Sequence, residues 1–251
     1  MGGNALNDRM MDILSRIEYR RVECFEDLEE VGRLRYSAYS GHGIVTKSRE
    51  MIDEADFDPH AHVLAIYYEG RLLSSIRLHH AAPEHPLCQS ASDFGSEIAA
   101  LLSAGRSFID PARFAVDPEA GSEYAWLPYM TLRPAIAAAA FFGADLVMQH
   151  VQTRHVSFYK RVFYADTIVA SRYCPQYLCD LSLMCTDTRL TGPALLTRFP
   201  FFKTRASERT MLFARDGSPR YSTALPTALF VGADDLSYVL PPRGGQDDGR
   251  T

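Results

Sequence analysis

Apolar positions recur along this chain with two different periods, and their alternation predicts interleaved helices and strands. Over 8–18, Met10, Met11, Ile13, Leu14 and Ile17 fall at helical spacing. Over 19–24, Tyr, Val and Cys alternate as in a half-buried strand. A second helix opens on Glu26 and Asp27, acids in a first turn where the helix dipole favours them. It carries Leu28, Val31, Leu34, Arg35, Ala38 and Tyr39 at the 3.6-residue period and stops at Gly41 and Gly43. An acid-rich loop follows over 44–62, then strands over 62–68 and 71–79 joined at Glu69 and Gly70, the signal of a hairpin. The stretch 81–96, with Pro83 and Pro86, reads as loop, and 97–104 as a short helix ended by Gly105. The segment 127–142 is a long helix, apolar all round and therefore buried, with Gly143 as its stop. A strand over 145–151, a helix over 154–164, a strand beginning at 168–170 and a last one over 176–185 complete the series. The expected fold class is α/β (α+β), with a mixed, mostly antiparallel central sheet flanked by helices.

The stretch 107–117 organises the rest. Phe108, Phe114 and Val116 suit one face of a pleat, and Ile109 and Ala115 the other. Asp110 and Arg113 stand three apart, so an unbroken strand sends them to opposite faces. Pro111 removes a ladder donor and favours an edge or a bulge, and a bulge brings both charges to one side. Two readings are open: an ion pair at a strand end, or the charged rim of a site.

Composition narrows the classes. With 251 residues, 47% of them apolar, the chain supports one large domain, or one domain with additions. A net charge of −5 gives no global basic field, so no nucleic-acid partner is expected. Cys24, Cys88, Cys174, Cys179 and Cys185 are odd in number and lack the paired spacing of a zinc site. They read as free thiols in a reducing compartment, with no metal. No run of about eighteen apolar residues predicts a membrane span, and the start lacks a secretory pattern, so a cytoplasmic location is expected. Charge is uneven along the chain. The loop around 46–62 sets Lys47 and Arg49 against Glu50, Asp53, Glu54, Asp56 and Asp58; 189–215 sets six basic residues against Glu208 alone. The divisions expected are an N-terminal helix over 1–16, a main domain over 17–188, a basic C-terminal extension over 189–240 and a disordered tail over 241–251.

Four local motifs occur in order: Leu34-Arg35-Tyr36-Ser37-Ala38-Tyr39, the acidic group Asp53-Glu54-Ala55-Asp56-Phe57-Asp58, Arg77-Leu78 at a strand, and Asp110-Pro111-Ala112-Arg113-Phe114-Ala115-Val116. With the order of elements, they resemble GNAT-type acyltransferases over about 17–185, in particular acyl-homoserine-lactone synthases and long-chain N-acyl amino acid synthases. The helix with Val156-Ser157-Phe158-Tyr159-Lys160-Arg161-Val162-Phe163 is similar to a GNAT segment, with Phe163 where that pattern has Gly. Acetyl-CoA-using members carry a glycine-rich loop before the long central helix, whose backbone N–H groups cradle a pyrophosphate. This chain has no glycine between Gly121 and Gly143. The resemblance therefore implies an acyl carrier protein thioester as donor, acyl-CoA being the alternative, and no resident cofactor.

The implied reaction is attack of an amine on an acyl thioester, which needs a free amine, a stabilised oxyanion and a tolerated thiolate. By resemblance Tyr159 is the candidate acid for the leaving sulfur; its alternative is packing on the sheet. Asp56, Asp58 and Asp110 are candidates for holding the acceptor's ammonium or relaying its proton. Arg35, Arg77 and Arg113 are candidates for a carboxylate, which a planar guanidinium grips in bidentate fashion; alternatively these acids and arginines form a buried network that shapes the acceptor loop. Phe114 and Val116 are expected to contact substrate. Trp126, with Phe141 and Phe142, is expected to help the long helix wall an acyl tunnel, the alternative being ordinary core. Lys160, Arg161, Arg198, Lys203 and Arg205 are expected to dock an acidic carrier protein, or else to form a solvated segment. Three functions compete: synthesis of an N-acyl amino acid, synthesis of an acyl-homoserine lactone from S-adenosylmethionine or acyl-CoA-dependent acylation, and non-catalytic acyl binding.

Overall fold

The structure, a computed structural model, describes residues 2–41 and 51–215. In chain order its elements are α1 (Gly2–Leu14), β1 (Ile17–Arg21), α2 (Phe25–Gly41), a 3-10 turn (Glu54–Phe57), β2 (Ala61–Tyr68), β3 (Arg71–Ala81), α3 (Ala91–Ser103), β4 (Phe108–Val116), α4 (Pro118–Glu123) and α5 (Leu127–Phe142). There follow β5 (Leu146–Gln152), a second 3-10 turn (Thr153–His155), α6 (Val156–Phe163), β6 (Asp166–Cys174), β7 (Cys179–Asp187), α7 (Thr188–Arg198), a third 3-10 turn (Pro200–Phe202) and α8 (Ala206–Phe213). The strands form one sheet in the order β1-β2-β3-β4-β5-β7-β6. Every neighbouring pair is antiparallel except β4 and β5. A parallel pair needs a crossover, and α4 and α5 supply it.

The sheet is covered on both faces, so its central strands are buried on both. In β2, Leu64 and Ile66 join the core under α5, whereas Val63, Ala65 and Tyr67 pack with Leu28 and Val31 of α2. The all-round apolar character of α5 follows: it lies between the sheet and α8, and its C-terminal stop is Gly143 at φ 65°, a left-handed conformation that glycine adopts without penalty.

Three expectations change. The helix expected at 97–104 starts at Ala91, with a kink at Phe94, because Ser and Gly mask the pattern of its first turns. The first and last strands occupy Ile17–Arg21 and Cys179–Asp187, two or three residues from their expected places. The basic segment after 188 is no appendage. Leu195, Phe199, Phe201, Phe202, Leu212 and Phe213 belong to the main core, together with Met10, Ile13 and Leu14 of α1. Arg133, fully buried in α5, donates to the carbonyls of Phe201 and Lys203 at 2.7 Å each and pairs with Glu208, tying this segment down. The tail expected at 241–251 lies outside the described residues.

Candidate active site in the split between β4 and β5

β4 and β5 pair only at Phe108 with Leu146 and Ile109 with Val147. Pro111 then removes a ladder donor, and the two strands part. A bulge follows on the other edge of β4: Arg77 pairs with Ala112 and Ser75 with Ala115, and Arg113 within it adopts φ 50°. A left-handed arginine is costly, of the order of 1–3 kcal/mol, so its surroundings must hold it there. They do: the Arg113 guanidinium pairs with Asp53. The bulge thus brings Arg113 to the side of the sheet where Arg77 also meets Asp53.

The gap between the strands is a cleft of about 560 Å³. Pro111, Ala112, Phe114 and Val116 of β4 form one wall; Pro128, Leu132, Ala135 and Ile136 of α5 form another. Met148 and Val151 of β5, Phe158 and Phe163 of α6 and Leu181 of β7 line the rest. The surface is mainly apolar, and its polar side chains include Tyr159, Gln149, Gln152, His150, Arg154, His155, Arg113 and Tyr177. Burial pushes the Tyr159 phenol above its ordinary value, so it keeps its proton at neutral pH.

Beside the cleft lies a network in which three arginines, Arg35, Arg77 and Arg113, share two carboxylates, Asp53 and Asp56. Asp56, whose side chain is fully buried, takes Arg35 at 2.9 Å on one oxygen and Arg77 at 3.1 Å on the other. Arg77 also meets Asp53 at 2.5 Å and Gln89 at 2.9 Å. Asp53 and Asp56 cap the 3-10 turn reciprocally, each side chain accepting from the other's end of the turn, and this fixes the acidic loop locally. Burial pushes the Asp53 carboxyl up, but the guanidinium groups of Arg77 and Arg113 outweigh it and hold it below the ordinary carboxylate value. For Arg35 burial wins over Asp56, and its pKa falls. Asp110 is buried and accepts from the Ser90 N–H at 2.9 Å and the Ser90 hydroxyl at 2.5 Å.

The sequence candidates therefore divide. Tyr159, Arg113, Phe114 and Val116 come together on the cleft. Arg35, Arg77 and Asp56 are consumed in the network, and Asp110 does not pair with Arg113 but anchors Ser90. Asp58 accepts from the His60 N–H at 2.7 Å and lines a separate, polar cavity of about 370 Å³ with Arg21 and Arg215. Trp126 is a correction. It sits at the start of α5, buried against Tyr68 and Tyr124 with ring centres 5.1 Å from each, and is not among the cleft-lining residues. Phe141 and Phe142 pack with Phe213 instead of the cleft, because α5 turns its middle, not its ends, to the gap. Lys160 and Arg161 are exposed on α6 next to Tyr159. Arg198 joins them, donating to the Arg161 carbonyl at 3.2 Å, whereas Lys203 and Arg205 are half-buried at the start of α8. Gln89, Ser90 and His150 were not singled out in the sequence, and Asp53 only as a member of the acidic motif. Asp53 was readable as the first acid before the turn. His150 was readable from its place two and four residues after Met148 and Leu146 in the strand alternation, a polar group on an otherwise apolar face.

A mixed sheet splayed between a parallel pair, with an apolar cleft opening there and a tyrosine on the following helix, defines a GNAT-type N-acyltransferase. A model of the family N-acyl amino acid synthase FeeM matches residues 30–187, and the chain belongs to that family. Among solved structures, FeeM, an N-acyl amino acid synthase from uncultured soil microbes, superimposes with a TM-score of 0.61 at 15% identity, covering 74% of this chain and 99% of FeeM. The CoA-dependent acyl-homoserine lactone synthase BjaI, solved with SAM and isopentyl-CoA, gives 0.52 at 16% identity over 73% of this chain and 90% of its own. The AHL synthase LasI gives 0.51 at 12% identity over 68% and 88%. No curated protein sequence matches the chain. No helix among the described residues is long and apolar enough to cross a membrane.

Proposed function

We propose that this N-acyltransferase moves a long-chain acyl group from the phosphopantetheine thioester of an acyl carrier protein to the amino group of an amino acid. The observation that carries the reading is the predominantly apolar cleft of about 560 Å³, which opens where β4 and β5 part and carries Tyr159 on its wall. The acyl chain lies along the α5 face formed by Leu132, Ala135 and Ile136. The thioester sits at the parting of the strands. There β4 beyond Ile109 has no strand partner on the β5 side, and Pro111 offers no N–H, so the thioester carbonyl enters an open gap between the strands. The amine nitrogen bonds to the carbonyl carbon, the C–S bond breaks, and the Tyr159 hydroxyl protonates the sulfur. Arg113, which alone of the three candidate arginines lines the cleft, receives the acceptor carboxylate; Arg35 and Arg77 act through the loop that holds it. The exposed Lys160, Arg161 and Arg198 beside Tyr159 meet the acidic carrier protein, which locates the reaction in the cytoplasm with fatty-acid synthesis.

A product screen by mass spectrometry tests this. The protein is incubated with long-chain acyl carrier protein or the matching acyl-CoA, a pool of amino acids and S-adenosylmethionine. An N-acyl amino acid from the carrier-protein donor, formed faster at low salt than at high, is the expected result. A lactone product, or turnover from acyl-CoA alone, replaces the acceptor or the donor assignment respectively. Acyl binding without product leaves a non-catalytic acyl-binding protein.

A further inference from the structure

Amine acylation needs a base, because an amino acid arrives as an ammonium. The three acids suggested for that task are engaged elsewhere: Asp56 by two arginines, Asp110 by Ser90 and Asp58 in the other cavity. The structure instead assigns the role to a pair that no motif indicated. We propose that His150, oriented by Asp93, takes the proton from the acceptor's ammonium. This rests on the amine-acylation reading above and deepens it.

His150 lies on β5 immediately beyond the point where the strand leaves β4, and it lines the cleft. Its Nε2 is 3.3 Å from Asp93 Oδ2. The Phe94 ring meets the imidazole edge-on with centres 5.0 Å apart and fixes its plane. Both side chains are largely buried, at 9% and 14% exposure, so the pair is screened little by solvent. Asp93 is itself held. Its Oδ1 accepts from the Cys174 thiol at 3.2 Å, and its carbonyl accepts from Arg172 at 2.7 Å, while Arg172 continues to Glu97. With Nε2 facing the Asp93 carboxylate, Nδ1 is the ring nitrogen left to accept a proton. No hydrogen-bond partner for Nδ1 occurs among the described residues. A carboxylate beside an imidazole on a cleft wall is the orienter–base arrangement of an acid–base site.

The charge balance fits. Burial pushes the imidazole down, and Asp110 and Asp93 act against it, leaving it below the ordinary 6.5. His150 is therefore neutral at pH 7 and can accept a proton, and the same two carboxylates stabilise the imidazolium once formed. These are the charged groups acting on the ring: Asp93 from α3 and Asp110 from β4. Phe94, and Leu183 opposite on β7, are apolar. In the reaction, the ammonium proton goes to Nδ1 and is later released to solvent. The nitrogen then forms the C–N bond and sheds a second proton, which balances the one the sulfur gains as C–S breaks.

The test compares two acceptors with the same acyl carrier protein donor: an amino acid, whose nitrogen is protonated at neutral pH, and hydroxylamine, whose nitrogen is not. For His150→Gln the expected kcat/KM with the amino acid falls ~10²–10⁴-fold, the usual worth of a positioned acid or base. The loss with hydroxylamine is far smaller, and with the amino acid the limb set by the imidazole gives way to a rise that follows the acceptor amine's own titration. Asp93→Asn tests the positioning role: it lowers the rate less and moves that limb to lower pH, since a charge that raised the imidazole's pKa is gone. Thermal melting establishes that each variant is folded, and His150→Asn repeats the test if the glutamine variant is not. Equal losses with both amines, or an unchanged rate and limb in His150→Gln, overturn the assignment while leaving the acylation reading intact. A native protein that acylates neither amine overturns both.

Discussion

The charged network around Asp53 and Asp56 and the cleft between β4 and β5 lie side by side, joined at Arg113 and Gln89, yet they are built on opposite principles. The network gathers three arginines and two aspartates, and each of them faces an opposite charge. The cleft is mainly apolar, and among its polar groups Arg113 is tied into that network while Tyr159 is not. Density of functional residue types is therefore a poor guide to where chemistry happens. A buried ion pair that satisfies itself has no reactivity left; it fixes a loop. A lone tyrosine or histidine on an apolar wall has its proton affinity set by that wall and remains free to act.

The contrast makes opposite predictions for the two regions. The largest effect is expected in the network. Arg77 is wholly buried among Asp53, Asp56 and Gln89. Arg77→Met takes one of two arginine partners from the buried Asp56 and one of two from Asp53, at a cost of about 3–5 kcal/mol. For a chain of this size that lowers Tm by on the order of 10 °C. The effect also has a sign in pH. Asp53 titrates in the folded state below its ordinary 3.8, so its contribution is present above that pH and is lost as pH falls through the lower folded value. Removing Arg77 raises the folded value, and acid unfolding should begin at higher pH in the variant. Urea titrations of the two proteins across pH 3–7 check both statements. A stable Arg77→Met with a specific loss of acceptor binding breaks the comparison, because Arg77 would then belong to the substrate and not to the loop.

The next effect is expected in the cleft, with stability spared. Tyr159→Phe removes one hydroxyl from an apolar wall. Turnover should fall ~10²-fold, the low end for general acid catalysis since a thiolate leaves readily. The Michaelis constants and Tm should hold nearly constant. Single-turnover measurements with saturating donor separate this from slow product release. An unchanged rate would make Tyr159 part of the wall and nothing more.

How much of this was legible beforehand follows the same division. The helix over Leu127–Phe142, the hairpin of β2 and β3, and the bulge after Pro111 were readable because each rests on local chemistry: period, a turn at Gly70, a missing N–H. Tyr159 was named by resemblance and Phe114 and Val116 as expected substrate contacts, and all three line the cleft; Arg113, left open between a carboxylate site and a structural network, lines it while paired to Asp53. What escaped depends on which face an element presents after assembly. Trp126 and Phe142 look like tunnel walls until α5 is seen to turn Leu132 and Ile136 to the gap. The segment from Thr188 to Phe213 looks like a basic tail until Arg133 is found reaching across to Glu208, because a buried arginine in one helix and an acid in another share no sequence signal. His150 and Asp93 stand 57 positions apart and become a pair only when the start of α3 meets β5.

The smallest predicted effect sharpens the account of the apolar wall itself. Ile136 lies half-buried on α5, facing the cleft beyond Leu132 and Ala135. Ile136→Trp fills part of the gap without touching the network or Tyr159. If the acyl chain runs along α5, the variant should favour shorter donors, and the preference should change by about 1–3 kcal/mol, the worth of a methylene or two in a hydrophobic pocket. Competition between long and short acyl carrier proteins in one reaction reads the ratio directly. Because the network is untouched, acid stability should match the native protein, and because His150 and Tyr159 are untouched, the rate with the best donor should be near normal. A uniform loss with every chain length would mean that the substitution distorts the core behind α5; an unaltered preference would mean that the chain leaves the cleft by another wall, with Phe158 and Leu181 as the remaining apolar path.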